Sequence, residues 1–246
     1  MKLFLTSSIG ASYKADGIRI PCALDTSNNF VKHLRENWPE QPRCVIMSSE
    51  PDNEEMNDSF INIYAEAFRL TGLPFAEIAV CDRRNENHLV SMLYDYNIVM
   101  LAGGHVPTQN AFFKRIRLKE LLKTYEGLVI GISAGSMNSA DIVYAQPEME
   151  GEATDPQYKR YIDGLGLISI SILPHYQDIK ALTVDGMRIL EDISLPDSLK
   201  RPFYALNDGS YIYSERNKTV LYGEAYLFKD GIITQVSETD KYVNLL

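Results

Sequence analysis

The chain has little cysteine, little histidine and no long apolar run, and each shortage closes off a class of protein. Its three cysteines, Cys22, Cys44 and Cys81, are odd in number, widely spaced and without a C-x-x-C pair. That excludes a disulfide framework or a structural zinc site and predicts a reducing, cytoplasmic setting. No stretch of about 18 apolar residues occurs, so no membrane-spanning helix is expected. The opening Met1-Lys2-Leu3-Phe4-Leu5-Thr6 turns polar before the run of about 7–15 apolar residues that a secretion signal needs. Cations are scarce as well: 24 Lys and Arg stand against 33 Asp and Glu, a formal net charge of −9. Such a balance leaves no broad basic surface for nucleic acid or an anionic membrane.

What is present fits a single folded domain over residues 1–246, since 45% hydrophobic and 23% charged residues are close to the average for globular proteins. Residues 1–140 alternate short apolar runs with amphipathic ones, the pattern of an α/β fold built on a mostly parallel sheet. Strands are predicted at 2–6, 43–47, 76–80, 97–101 and 127–132. Helices are predicted at 54–70, where Phe60, Ile61, Tyr64, Ala67 and Phe68 recur at helical spacing, and at 109–125. A strand at 141–145 precedes the acidic, turn-rich segment 146–161, a lid candidate, and 166–173 reads as a strand and 179–193 as a helix. The remainder is β in character, with strands at 203–206, 210–213, 218–222, 224–228 and 232–236 separated by the turn signals Asn207-Asp208-Gly209, Arg216-Asn217 and Asp230-Gly231. This terminal segment also offers an edge on which a homodimer can form.

The chemistry concentrates in Gly131-Ile132-Ser133-Ala134-Gly135, a G-x-S-x-G directly after an apolar strand and before a predicted helix. A strand-to-helix turn of this kind projects a serine hydroxyl above the sheet, and the Ala134 amide at the helix start is placed to stabilise an oxyanion. A phosphate-binding or purely structural turn is the alternative reading. Serine is a weak nucleophile at neutral pH and requires a base. Of the four histidines, His33 and His88 lie among charged residues and read as solvated helix positions. His175 follows 166–173 and reaches the end of a strand, where open α/β sheets assemble their sites; a core histidine is its bland alternative. His105 follows Gly103-Gly104, whose backbone can donate a second oxyanion hydrogen bond, and itself reads as lining the pocket or capping the next helix.

Taken together, Leu101-Ala102-Gly103-Gly104, Gly131 to Ser136, Leu173-Pro174-His175-Tyr176 and Ala205 to Ser210 resemble the peptidase E family of serine peptidases, which includes aspartyl dipeptidase and cyanophycinase. The resemblance covers most of the chain. It implies a three-layer, class I glutamine amidotransferase-like (flavodoxin-like) fold with a C-terminal β-rich segment. It also implies a Ser-His-acid triad with Ser133 as nucleophile, His175 as base, and Gly104 and Ala134 as oxyanion donors, with no metal or organic cofactor. Asp208, in a turn like the family's Pro-Glu-Gly turn, matches the acid. A second placement of the acid points to Glu148, Glu150 or Asp155.

The resemblance further implies an arginine-rich helix after the histidine, which this chain lacks. Arg188 and Lys180 remain as partners for a substrate carboxylate, while Val184 and Asp185 stand where positive charge is wanted. A dipeptidase-like hydrolase of small peptides is therefore expected, without aspartyl specificity and with the net charge arguing against acidic substrates. An esterase or amidase, or a degenerate binding protein on the same scaffold, are the alternatives.

Overall fold

The computed structural model describes residues 1–245. Its strands are β1 (Lys2–Thr6), β2 (Ser12–Ala15), β3 (Ile18–Pro21), β4 (Arg43–Met47), β5 (Glu77–Cys81), β6 (Ile98–Leu101), β7 (Leu128–Ile132), β8 (Ile142–Tyr144), β9 (Tyr161–Asp163), β10 (Ile172–Leu173), β11 (Thr183–Val184), β12 (Met187–Arg188), β13 (Phe203–Leu206), β14 (Tyr211–Glu215), β15 (Lys218–Tyr222), β16 (Ala225–Lys229), β17 (Ile232–Ser237) and β18 (Tyr242–Asn244). The α-helices are α1 (Phe30–Glu36), α2 (Glu54–Leu70), α3 (Leu89–Asp95), α4 (Val106–Arg115), α5 (Leu118–Leu122), α6 (Ala134–Asn138), α7 (Tyr176–Ile179) and α8 (Leu195–Ser198).

An eight-stranded sheet runs β18-β15-β14-β1-β7-β6-β4-β5. Its β1, β7, β6, β4 and β5 are parallel, and β14, β15 and β18 extend it antiparallel. The parallel strands are predominantly apolar because both faces are covered, with charged residues at the starts of β1, β4 and β5. In β4, Cys44 and Ile46 face a cluster with Phe60, Phe68 and Leu34 of α2 and α1, while Val45 and Met47 face Leu89, Phe112 and Leu118 on the opposite side. This period-two alternation between two buried layers gives three layers in all. Helix α2 starts at Asn53, whose side chain accepts from the Met56 N–H, and carries Glu54 and Glu55 in its first turn, both favourable at a helix N-terminus. No helix among the described residues is long and apolar enough to cross a membrane.

A second, four-stranded sheet runs β10-β13-β16-β17, with β10 and β13 parallel. The terminal β segment is thus split between two sheets: β13, β16 and β17 build the small one, and β14, β15 and β18 the large one. The Asn207-Asp208-Gly209 turn, with Gly209 at φ 83°, carries the chain across. One apolar cluster joins Leu5 and Val129 of the large sheet to Ile172, Leu206 and Ala225 around the small one.

Several sequence expectations are corrected. The helix predicted at 109–125 is two helices, because Arg117 adopts the left-handed conformation at φ 54°. The helix predicted at 179–193 is a short helix, the β11–β12 hairpin and a π-helical turn over Ile189–Ser194. The Asp185-Gly186 pair, at φ 53° and 78°, makes the hairpin turn. The strand predicted at 166–173 shrinks to Ile172–Leu173, preceded by an isolated bridge from Ile168 to Ala140. Unforeseen are the β2–β3 hairpin around Asp16-Gly17 and the terminal strand β18. Segment 146–161 closes at its base through β8 pairing antiparallel with β9.

Candidate active site

Strand β7 lies next to β1, and both end at the same rim of the sheet. After β7 the chain turns abruptly at Ser133, which holds φ 49° and ψ −112°, a conformation that costs about 1–3 kcal/mol for a residue with a side chain. Backbone contacts enforce it. The Ser133 N–H donates to the Thr6 carbonyl at 3.1 Å, the Met137 N–H donates to the Ser133 carbonyl at 3.0 Å, and Ser136 Oγ donates to the Thr6 carbonyl at 2.8 Å. The flanking glycines serve close approach, whereas the turn itself falls on the serine. A Cβ on Gly135 would lie 2.2 Å from the Leu101 carbonyl oxygen, and one on Gly131 would lie 3.0 Å from Leu5 and the Ser136 backbone. Helix α6 has only five residues, so its individual amides matter more than a macrodipole.

His175 and Asp208 come from the small sheet, following β10 and β13, whose parallel pairing aligns Leu173 with Ala205. His175 Nδ1 bonds Asp208 Oδ1 at 2.8 Å, and Nε2 bonds Ser133 Oγ at 2.9 Å. A carboxylate only accepts, so Nδ1 carries the ring proton and Nε2 receives the Ser133 hydroxyl hydrogen. Burial opposes the charged imidazole, but the hydrogen bond and charge of Asp208, with Asp178 and Glu148, outweigh it and raise the His175 pKa above its ordinary 6.5. Burial likewise opposes ionisation of Asp208, yet bonds from His175, Ser7 and Gln177 hold its carboxyl below the ordinary range. A ring nitrogen of His175 and carboxylate oxygens of Asp178 and Asp208 lie within 4.8 Å of one another. That spacing suits a cation, but Nδ1 is already engaged by Asp208.

Gly103-Gly104 faces the elbow. Ser49 Oγ donates to the Gly103 carbonyl at 2.7 Å, and a Cβ on Gly104 would meet that same oxygen at 2.3 Å. Only glycine admits Ser49 so close. Neither the Gly104 nor the Ala134 N–H has a backbone acceptor among the described residues, and both flank the Ser133 turn.

The remaining predicted residues lie elsewhere. His105 is turned into segment 146–158, with Nε2 on Glu152 Oε1 at 2.8 Å and Nδ1 on Thr108 Oγ1 at 2.7 Å. It anchors that segment and does not line the cleft. Glu152 also accepts from the N–H groups of Glu148 and Met149, while Asp185 accepts from those of Gly151 and Ala153. Asp185 therefore pins the turn.

Arg188 is 60% exposed and paired with Asp192 on the β11–β12 hairpin, outside the cleft. Lys180 lies over the rings of Tyr176 and Tyr226. The alternative acids Glu148, Glu150 and Asp155 are all solvent-exposed, and none of the three bonds His175. Glu148 is near enough to matter electrostatically. Partial desolvation and the Glu152 charge push its carboxyl up to about 7 against the pull of His105 and His175.

Cys44 and Cys81 are buried, and burial raises both thiols, Cys81 to about 12. His88 is exposed. His33 is not a freely solvated histidine: Nδ1 bonds the Tyr211 hydroxyl, and its ring packs on Tyr222.

A cleft of about 440 Å³ opens beside Ser133 and His175. Apolar side chains of α2, including Met56, Phe60 and Tyr64, form one wall, and Ser7, Arg19 and Glu50 also line it. Sequence reading missed these three. The signal for Ser7 was its place after β1, the strand beside the elbow; for Arg19 it was the Asp16-Gly17 hairpin that carries it.

A family model, peptidase family S51, matches residues 51–221, more than half of the chain. No curated protein matches. Among solved structures, a peptidase from an acI-B1 Actinobacterium is similar with a TM-score of 0.63 at 15% identity, covering 99% of this chain and 96% of that one. A candidate peptidase E protein from Listeria monocytogenes EGD-e gives 0.55 at 18% identity, covering 96% and 98%. At such identities the likeness speaks for the fold: mixed α/β with a large, mostly parallel central sheet, flavodoxin-like and class I glutamine amidotransferase-like. With the family model spanning both the elbow and the His175–Asp208 pair, the chain belongs to peptidase family S51, the peptidase E family of serine peptidases.

Proposed function

We propose that the protein hydrolyses short peptides through an acyl-enzyme, with Ser133 as nucleophile, His175 as general base and acid, and Asp208 as the orienting carboxylate. The observation that carries this reading is the unbroken pair of hydrogen bonds from Asp208 through both nitrogens of one imidazole to Ser133 Oγ. His175 Nε2 takes the hydroxyl proton as Oγ adds to the scissile carbonyl. The N–H groups of Gly104 and Ala134 stabilise the resulting oxyanion. Collapse breaks the C–N bond, and the leaving amine takes its proton from Nε2. Water then loses a proton to Nε2 as it attacks the ester carbon, and collapse breaks the C–Oγ bond while Nε2 returns its proton to Ser133 Oγ, releasing the acid and restoring the site.

Cleft volume and the apolar α2 wall favour a short peptide as substrate. Arg19, with no ion pair or side-chain hydrogen bond among the described residues, puts one free cation on that wall. It supplies the positive charge that the stretch after His175 lacks and, with Glu50 also on the lining, offers one cation to a substrate carboxylate despite the net charge of −9.

The test is labelling with a fluorophosphonate probe, with hydrolysis of a dipeptide library followed in parallel. Stoichiometric labelling that Ser133→Ala abolishes, together with peptide cleavage, is expected. Labelling with turnover of esters alone would assign an esterase, and no labelling of folded protein would leave a binding protein.

A further inference from the structure

We infer that Ser7 is a positioning residue for both the base and the acid, an inference that rests on the proposed triad. Ser7 is fully buried at the end of β1. Its hydroxyl donates to Asp208 Oδ1 at 2.7 Å and accepts the backbone N–H of His175 at 2.8 Å. The directions are forced. A backbone N–H only donates and a carboxylate only accepts, so the single Ser7 hydrogen goes to Asp208 and a lone pair faces His175. One side chain therefore holds the main chain of the base and the carboxylate of the acid, residues that lie 168 and 201 positions away in sequence.

Both contacts fall where the site most needs support. His175 sits in the left-handed region at φ 56°, which residues with a side chain seldom adopt unless held there. Its carbonyl is fixed by the Asp178 and Ile179 N–H groups, and its own N–H by Ser7. Asp208 is 41% exposed, so its position depends on directed bonds more than on packing. Its N–H donates to Gln177 Oε1, leaving Ser7 and His175 to share Oδ1. Because β1 belongs to the large sheet that carries Ser133, Ser7 also ties the small-sheet pair to the nucleophile's own scaffold.

The two donors on Oδ1 act on the imidazole in a definite direction. A hydrogen bond from Ser7 stabilises ionised Asp208 and draws negative charge away from Nδ1–H. Without it the carboxylate is a stronger partner for the imidazolium, and the His175 pKa rises. Besides Asp208, the charged groups facing that ring are Asp178 and Glu148, and neither touches Ser7.

The test uses Ser7→Ala, Ser7→Cys, which keeps the volume with a weak donor, and Ser7→Thr, which keeps the hydroxyl. Imidazole titrations by NMR and fluorophosphonate labelling rates from about pH 5 to 9 are read on the whole chain. Ser7→Ala and Ser7→Cys are expected to raise the His175 pKa by roughly half a unit, move the acid limb of labelling upward equally, and slow labelling about 10- to 100-fold. Ser7→Thr is expected to recover most of the rate. An unchanged His175 titration in folded Ser7→Cys would overturn the inference, as would a rate loss that Ser7→Thr shares in full. If His175 shifts as expected while the parent chain is never labelled, Ser7 still positions the pair and the catalytic reading is what fails.

Discussion

The two sheets hold their parts of the site by different means. Ser133, on the large sheet, is fixed by backbone: its N–H bonds the neighbouring strand, and two glycines let that strand and the next helix close around it. His175 and Asp208, at the ends of parallel strands in the small sheet, depend on side chains as well, namely each other, Ser7 and Gln177, beside the backbone bonds to the His175 carbonyl. Backbone bonds do not titrate and tolerate substitution of the side chains around them. A side-chain network responds to pH and to every member's removal. The nucleophile is thus the insensitive half of the proposed machinery, and the base–acid pair the adjustable half.

Substitutions can break this contrast in graded fashion. Ser133→Ala is expected to lower kcat/KM by a factor on the order of 10⁴ or more while leaving the melting temperature nearly unchanged, since the Ser133 hydroxyl is the only elbow contact that the substitution removes. Asp208→Asn should cost about 10³–10⁴-fold in kcat, because the wrong ring tautomer is favoured, and should lower the His175 pKa measured by NMR. Gly135→Ala places a methyl group against the Leu101 carbonyl and is expected to destabilise the fold by about 3 kcal/mol in urea titration, damaging the large sheet where Asp208→Asn does not.

Smaller effects sharpen the adjustable half. Arg19→Met should reduce kcat/KM about 10-fold for peptides bearing a side-chain carboxylate and leave neutral peptides unaffected, as competition assays would show. Glu148→Gln removes a charge that is only partly present where Glu148 itself titrates, at about 7, and should move the acid limb of activity down by no more than a few tenths of a pH unit. Under the proposed roles that limb is expected above pH 6.5 in the parent protein, because His175 must be neutral to act as base and its pKa is raised. Stability runs the opposite way. The contribution of the His175–Asp208 bond through His175 is complete below about pH 6.5 and fades as pH rises through the raised folded value.

The same contrast decided what could be read from sequence. Ser133 announced itself because a tight backbone turn needs a fixed local pattern, Gly131 to Gly135, and the parallel strands because doubly covered strands are predominantly apolar. His175 was legible from the strand it ends. Asp208 was legible only through the likeness of its turn to the family's, because the pairing of β10 with β13 that brings it to His175 spans about thirty residues and leaves no local mark. Ser7 and Arg19 carried less signal still, each a single polar residue whose meaning lies in a distant partner or a cavity wall. The helix expected at 179–193 failed because apolar spacing outweighed Asp185-Gly186, whose backbone conformations dictate a hairpin. Arg188 went with it, out to solvent.

Chain order gives the division between the sheets a consequence in time. The nucleophile precedes its base by 42 residues, and the acid follows the base by a further 33. During synthesis the ribosome releases the elbow before either residue that would arm it. Under the proposed roles a nascent chain, or one cut before residue 208, carries a serine without its full base–acid pair, and the triad is complete only once β13 and the turn after it are in place.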